Sequence, residues 1–282
     1  MGRPVPGGDR VRRPDHPNPL VPQTASKGVP GRWEVPYKKI GVKVIFLLFR
    51  RGQCAYNPVM PRSARVIAVK QAHLVFQRSV GNRAVFSRDQ DRQAYLDSLR
   101  EMSDYYKLEI LAYCLMREWV HLVVRPKTVE ALALGVGRAH FAYTHHLHSG
   151  KKKSKPLWRG RFQSCPVDQK HLLTAVQFVE CQPVYGKLVR QAQKYAWSSA
   201  GAHVNGADEQ EILAMGKWGD KRYRQKWAGS LKNPLSAQVR RELEMYTQTG
   251  RPLGDAAFVR GLERKYGRRL HALPVGRPKT RN

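Results

Sequence analysis

The clearest alternation of hydrophobic and polar positions lies at residues 111–126, where two short apolar segments flank a polar pair at residues 117–118. Segments of this length around a polar turn predict a β-hairpin. Successive side chains of a strand point to opposite faces, so Trp119, His121 and Val123 share one face of the second strand. The residues between them belong to the other face.

Further elements surround this hairpin. A strand is predicted at residues 66–78, a helix at 89–107, and a second helix at 127–148 with one buried stripe formed by Leu132, Val136, Ala139 and Tyr143. A last strand, into which residues 157–166 lead, and a helix at 168–182 follow. The order of strand, helix, hairpin, helix, strand and helix predicts an α+β domain with a central antiparallel sheet and packed helices.

The helix at residues 168–182 has an unusual distribution of side chains. Its apolar stripe is formed by Leu172, Leu173, Val176 and Val179. At about 100° per residue, Phe178 lies away from that stripe, and Gln182 shares its face one turn later. We interpret Phe178 and Gln182 as facing something other than the core.

Charge points to the class of partner. Lys and Arg number 51 against 21 Asp and Glu, a formal net charge of +30, which favours a polyanion, most commonly nucleic acid. An anionic membrane surface is the alternative. The longest apolar run, residues 44–49, is too short to span a membrane or to form a signal-peptide core. The four cysteines follow no metal or disulfide spacing, which favours the reducing cytoplasm.

Composition divides the chain into three parts. Residues 1–59 are rich in Pro, Gly and Arg and are predicted to be a disordered basic extension, either without function or acting as an arm on the DNA backbone. Residues 60–204 carry the α+β pattern. Residues 205–282 are basic, with helical patterning at 210–231 and 237–246, and form either a helical cap or a small DNA-binding unit.

Several motifs occur in one order along the chain. They are His-Leu-Val-Phe-Gln-Arg at residues 73–78, Tyr-Cys-Leu-Met-x-x-x-Val-His-Leu-Val-Val at 113–124, Leu-Trp-Arg-Gly-Arg-Phe at 157–162, Phe-Val-Glu-Cys-Gln-Pro-Val at 178–184, and Trp-Ser-Ser with His203. Together, residues 60–281 resemble the REP-associated tyrosine transposases, a branch of the HUH single-strand DNA transposases. The resemblance implies a ferredoxin-like core.

The resemblance also implies chemistry that two positions of this chain do not support. Family members hold a divalent cation, Mg²⁺ or Mn²⁺, with two histidines one residue apart on a strand; here His121 is the second and Trp119 replaces the first. An indole has no lone pair to offer a metal. The family's tyrosine nucleophile is replaced by Phe178, which has no oxygen, while Gln182 keeps an amide in place of asparagine. Tyr185 is the candidate substitute nucleophile.

Basic and aromatic residues at the motif positions are the candidate DNA contacts. They are Arg78, Arg83, Lys151, Lys152, Lys153, Trp158, Arg159, Arg161, Arg268 and Arg269. Arginines bind phosphates through paired donors, and Trp158 offers a surface for stacking an unpaired base. The alternative for Trp158 and Phe162 is a place in the hydrophobic core.

The expected function is therefore binding of single-stranded or hairpin DNA by a transposase-family protein with little or no strand-transfer activity. One alternative is an active nuclease or transposase that uses Tyr185 and a metal held by His121. Another is a non-enzymatic basic protein that binds RNA or a membrane surface. The sequence leaves the oligomeric state open.

Overall fold

The structure is a computed structural model that describes residues 64–149 and 155–271. The expectations for residues 1–59 and for Lys151, Lys152 and Lys153 lie outside the described residues. The four described strands are β1 (Ala72–Arg78), β2 (Leu108–Leu115), β3 (Trp119–Pro126) and β4 (Gln163–Val167). The helices are α1 (Asp89–Tyr106), α2 (Val129–His148), α3 (Leu172–Glu180), α4 (Gln182–Tyr185), α5 (Ala200–Asn205), α6 (Lys221–Leu231), α7 (Ala237–Thr249) and α8 (Ala256–Tyr266). Short 3-10 turns lie at Val80–Asn82, Ala192–Lys194 and Gly216–Gly219.

The four strands form one antiparallel sheet in the order β2-β3-β1-β4. With α1 between β1 and β2, and α2 between β3 and β4, the chain follows the βαββαβ order of the ferredoxin-like fold. The predicted α+β fold with a central antiparallel sheet is confirmed.

The hairpin that dominates the sequence forms as predicted. β2 and β3 pair on either side of the turn at residues 117–118. Val120, Leu122 and Val124 belong to one hydrophobic cluster, while Val123 belongs to the other, with Trp119 packed against it. The period of two therefore separates the two faces of the sheet.

Each face of the sheet is covered by a different set of helices. α1 and α2 bury one face, and the predicted α2 stripe is fully enclosed there. The members of that stripe are Leu132, Val136, Ala139 and Tyr143. α3 covers β2 and β3 on the other face, and α7 packs on β4 and β1 beside it. The second face carries the candidate site described below.

Two elements differ from the sequence prediction. β1 begins at Ala72 and not at Val66, because a turn at residues 69–70 interrupts the extended chain and places Lys70 at φ +63°. The predicted helix at residues 168–182 is split: α3 spans Leu172–Glu180, and α4 starts after the break at Cys181. Pro183 accounts for the break, because proline has no backbone N–H to donate to the preceding turn and its ring crowds that turn, whereas it is tolerated in the first turn of the new helix α4.

The interpretation of α3 as a helix with one buried stripe is wrong. Phe178 is 1% exposed and belongs to the hydrophobic core, whereas Leu173 of the predicted stripe is 41% exposed. The physical reason is that α3 is covered on two sides, by the sheet and by the later helices α6 and α7. A helix buried on two sides has no single apolar face to read from its sequence.

The C-terminal extension is helical, as predicted, over α6, α7 and α8. Residues 210–215 are not helical; Leu213 instead forms a parallel bridge with Ile110 of β2. Trp227 and Leu243 of the extension join the same cluster as α3. The boundary at residue 205 stays a prediction. No helix in the described ranges is long and apolar enough to cross a membrane.

Candidate functional site

Two cross-strand pairs form the floor of the site. In the register of β1 and β3, Phe76 lies opposite His121 and Arg78 lies opposite Trp119. Directly opposed residues of an antiparallel pair present their side chains on the same face. The rings of Phe76 and His121 are 4.6 Å apart between centroids, and the Arg78 guanidinium carbon lies 5.9 Å from the centre of the Trp119 ring.

α3 and α4 supply one wall. The Phe178 ring meets His121 edge to face, with 5.3 Å between the centroids. Gln182 donates its side-chain amide to the carbonyl of Phe178 over 3.1 Å, which fixes both residues at the α3–α4 break. Four positions singled out from the sequence, Trp119, His121, Phe178 and Gln182, therefore line a single cleft of about 230 Å³.

His121 is an isolated neutral imidazole. Burial alone lowers its pKa to about 3, so the ring is uncharged at neutral pH. Among the described residues, its buried Nδ1 atom has no hydrogen-bond partner, and neither has the indole nitrogen of Trp119 beside it. A free imidazole lone pair is one ligand for a metal, but the position that the resemblance assigns to the other histidine ligand holds the donor-only ring of Trp119.

The residues present do not fit the family's divalent cation. Across residues 64–149 and 155–271, no group of three or more His, Cys, Asp or Glu side chains is placed to hold a metal. His121 is packed between the rings of Phe76 and Phe178. Gln182 and Glu244 line the same cleft and carry oxygens of the kind that Mg²⁺ and Mn²⁺ accept, but with Trp119 in place of an imidazole the family's pair of histidine ligands is incomplete.

A second cavity, of about 720 Å³, opens beside the cleft and shares Phe76 and Arg78 with it. Arg65, Arg159 and Arg161 also line this cavity. None of the four arginines forms an ion pair within the described part of the chain. The cavity is therefore a concentration of positive charge without a counter-charge, which suits an anionic ligand.

Arg65 shows how closely these charges approach. Its guanidinium lies 3.8 Å above the centre of the Phe162 ring and donates to the Phe162 carbonyl over 2.7 Å. Burial, together with repulsion from Arg161, lowers the pKa of Arg65 to about 10. The residue still carries its charge at neutral pH, and an anion in the cavity would relieve the repulsion.

Buried polar atoms without partners gather along the same surface. They include Gln77 Oε1, Arg78 Nε, Trp119 Nε1, His121 Nδ1 and Ser164 Oγ. Buried polar atoms in folded proteins almost always find partners, so such a group indicates a surface that hydrogen bonds to a ligand or to water.

Tyr185 does not line the cleft. Its hydroxyl accepts the backbone N–H of Leu235 over 3.1 Å, and the Arg240 guanidinium carbon sits 4.4 Å from its ring centre. Burial raises the pKa of this phenol, which opposes formation of the nucleophilic phenolate.

Two of the candidate DNA-binding residues make contacts within the protein. Arg83 donates to the carbonyls of Val80 and Pro156. Trp158 is half-buried: its indole N–H donates to the carbonyl of His140 over 3.3 Å, and its ring centroid lies 4.7 Å from the His140 ring. Of the two alternatives for Trp158 and Phe162, these contacts, and the burial of Phe162, favour the core.

Arg268 and Arg269 lie just beyond α8 and do not line either cavity. Arg268 donates to the carbonyl of Ala64, and Arg269 donates to the ring of His271 over 2.7 Å. Their role as DNA contacts stays a prediction.

Sequence reasoning missed the residues that complete the cleft. Phe76 was not singled out, nor were Glu244 and Gln248 of α7, which also line the cleft, nor was Arg65 of the adjoining cavity. The position of Phe76 two residues before Arg78 on a strand was a usable signal, because both must share a face. Nothing in the local sequence of α7 indicates that it reaches this cleft.

The topology, the cleft and the cavity define the class of protein: a ferredoxin-like α+β domain with a cleft on one sheet face and, beside it, an arginine-lined cavity that suits a polyanion. The family model described as "Transposase IS200 like" matches residues 67–182, the segment that runs from just before β1 to the start of α4. Residues 67–182 therefore belong to the IS200-like transposase family, and the resemblance to this group of transposases is confirmed.

Solved structures with some similarity were also found. One is a structure described as a REP-associated tyrosine transposase bound to a REP hairpin, which is 17% identical in sequence. The match covers 54% of this chain and 90% of the chain in that structure, with a TM-score of 0.46. A protein of Deinococcus radiodurans R1 described as a transposase is 21% identical, covers 43% and 96% respectively, and has a TM-score of 0.26. No curated protein matches the chain significantly.

Proposed function

We propose that this chain binds single-stranded or hairpin DNA through the cleft and the adjoining arginine cavity, with little or no strand transfer. The observation that carries the proposal is the set of four arginines that form no ion pair with any described residue, beside the cleft to which the resemblance assigns the family's chemistry. Unneutralised guanidinium groups on one surface bind phosphates and release the counterions around them.

The expected loss of chemistry rests on two positions. Phe178 has the ring of the family's nucleophile without an oxygen, so it cannot form a bond to phosphorus. Trp119 removes one of the two imidazoles that hold the cation, and what remains around His121 does not fit the metal. Loss of a covalent nucleophile typically costs several orders of magnitude in rate.

Native gels test the proposed DNA binding, and denaturing gels test the proposed loss of strand transfer. The full chain is mixed with end-labelled single-stranded DNA carrying a hairpin from its own genomic flanks, with Mg²⁺ or Mn²⁺. We expect a retarded complex on native gels and neither cleavage nor a covalent adduct on denaturing gels. The variant with Trp119→His and Phe178→Tyr is expected to gain an adduct.

Cleavage by the unmodified chain would contradict the proposed loss of activity. The variant Tyr185→Phe would then test whether Tyr185 is the nucleophile. Equal competition by RNA of the same sequence would favour the RNA-binding alternative. Absence of any complex with DNA would overturn the proposed DNA binding.

A further inference from the structure

The cleft around Trp119 has more ring surface than a phosphate requires. Phe76, Trp119, His121 and Phe178 line it, and the half-buried Phe76 and Trp119 are the more exposed of these four rings. A phosphate prefers guanidinium groups and N–H donors, whereas aromatic rings offer stacking surfaces to the flat faces of bases. The ring-lined part of the site and the arginine-lined part adjoin, since both contain Phe76 and Arg78.

We propose that this cleft holds one unpaired nucleobase of the bound DNA strand, while the arginine cavity holds the phosphates next to it. The inference rests on the proposed DNA-binding function and names the ligand of the former catalytic cleft. At the positions that the resemblance assigns to a metal-binding histidine and to the nucleophilic tyrosine, this chain has an indole and a phenyl ring, and the half-buried Trp119 offers ring surface to a base.

The dimensions agree with a single base. The cleft measures about 230 Å³, below the roughly 300–1,000 Å³ of pockets that enclose drug-sized ligands. A space of this size accommodates one planar ring system. The adjoining cavity of about 720 Å³ has room for the backbone on either side.

The polar rim of the cleft is suited to the edge of a base. Gln182 comes from the α3–α4 break, and Glu244 and Gln248 come from α7. Amide side chains donate and accept, so they can pair with any base edge. The Glu244 carboxylate would repel a phosphate, but it accepts hydrogen bonds from an exocyclic amino group.

This arrangement assigns a role to the C-terminal extension. α7 packs against β4 and β1 and places Glu244, Thr247 and Gln248 at the cleft, although the family match ends at residue 182. The extension thus supplies the residues that would select the base, whereas the family domain supplies the rings that stack on it.

An abasic scan tests the inference. Single abasic sites are placed in turn along the unpaired segment beside the hairpin, and the dissociation constant of the full chain is measured for each oligonucleotide. The backbone charge is the same in all of them. We expect one position at which loss of the base weakens binding by roughly 5-fold or more, because stacking of a base on an aromatic side chain contributes at least about that factor.

Measuring protein variants with both intact and abasic DNA tests whether that base binds in the cleft. Trp119→Ala, at a half-buried residue, should weaken binding of intact DNA and make it insensitive to the abasic site. Tyr105→Ala removes an aromatic ring that is 74% exposed on α1 and should change neither value. Glu244→Gln should leave overall affinity unchanged or raise it, and should reduce the preference for cytosine or adenine over thymine at the sensitive position.

The results separate the two proposals. A flat abasic scan on DNA that still binds in a salt-dependent manner overturns base insertion and leaves the proposed DNA binding intact. A sensitive position that persists unchanged in Trp119→Ala also overturns it. Absence of DNA binding overturns both.

Discussion

The Phe178 ring stands edge-on against the His121 ring, with 5.3 Å between centroids and 86° between planes. By the resemblance, Phe178 stands at the family's nucleophile position and His121 at one of its metal-ligand positions. Phe178 thus contributes an apolar ring to the surroundings of the histidine. Burial, to which this ring contributes, lowers the pKa of His121, and its Nδ1 has no hydrogen-bond partner among the residues that the structure describes.

The arginine cavity predicts a specific salt dependence. Arg159→Ala and Arg161→Ala should each weaken DNA binding across sequences and reduce the slope of log K against log salt by about 0.7–0.9 for each phosphate that the variant no longer neutralises. Fluorescence anisotropy at several salt concentrations measures this slope. Arg138→Ala, at an exposed position of α2 on the opposite side of the sheet, is the matched control and should leave the slope unchanged. Equal losses of affinity in all three variants would contradict a localised site.

Trp158 should contribute to stability more than to DNA binding. Its ring packs near Tyr95, His140 and Tyr143. Trp158→Ala should lower the free energy of unfolding by about 3 kcal/mol, the low end for a Trp-to-Ala change because the side chain is half-buried. Urea denaturation checks this value, and Trp158→Phe should recover part of it. A variant with unchanged stability and a large loss of DNA affinity would restore the base-stacking interpretation.

Glu180 anchors the helix that carries Phe178. Its fully buried carboxylate accepts hydrogen bonds from Ser199 Oγ at 2.6 Å, His203 Nδ1 at 2.5 Å and Trp227 Nε1 at 2.9 Å. Removing one partner of a buried polar pair leaves the others without compensation.

Glu180→Ala should therefore lower the free energy of unfolding by about 3–5 kcal/mol. The urea midpoint measures the change, and Glu242→Ala on the exposed surface of α7 is the control. A loss no larger than that of the control would mean that the three donors find other acceptors.

Buried histidines predict loss of stability in acid. Burial lowers the pKa of His73 to about 4 and those of His121 and His140 to about 3. The histidines of the unfolded chain, with an ordinary pKa near 6.5, bind protons at a pH at which the buried histidines of the folded chain do not. The contribution of these histidines to the free energy of unfolding is therefore fully present above about pH 6.5. It falls as the pH decreases toward 4, by up to about 1.4 kcal/mol per pH unit for each histidine.

Urea midpoints between pH 7.5 and pH 4.5 measure this slope. His121→Gln should flatten it, because one titrating group is removed, whereas His146→Gln at the exposed end of α2 should not. A slope that is the same in all three proteins would exclude His121 as a contributor.

The sequence by itself determined the elements and the faces of the sheet. The alternation in residues 119–124 separates two clusters as predicted, and the α2 stripe is buried as predicted. These outcomes follow from local periods of 2 and 3.6 residues, which backbone geometry imposes on any chain. The motifs identified the family and the positions Trp119, His121, Phe178 and Gln182, which the structure brings into one cleft.

Only the tertiary structure decided what surrounds those positions. Phe178 is buried because α6 and α7 cover a helix that its sequence presents as one-sided. Arg65 reaches Phe162 across 97 residues, and Glu244 joins the cleft from a helix outside the family match. Such contacts depend on strand register and on the packing of distant elements, and a local pattern of hydrophobic residues carries no information about either.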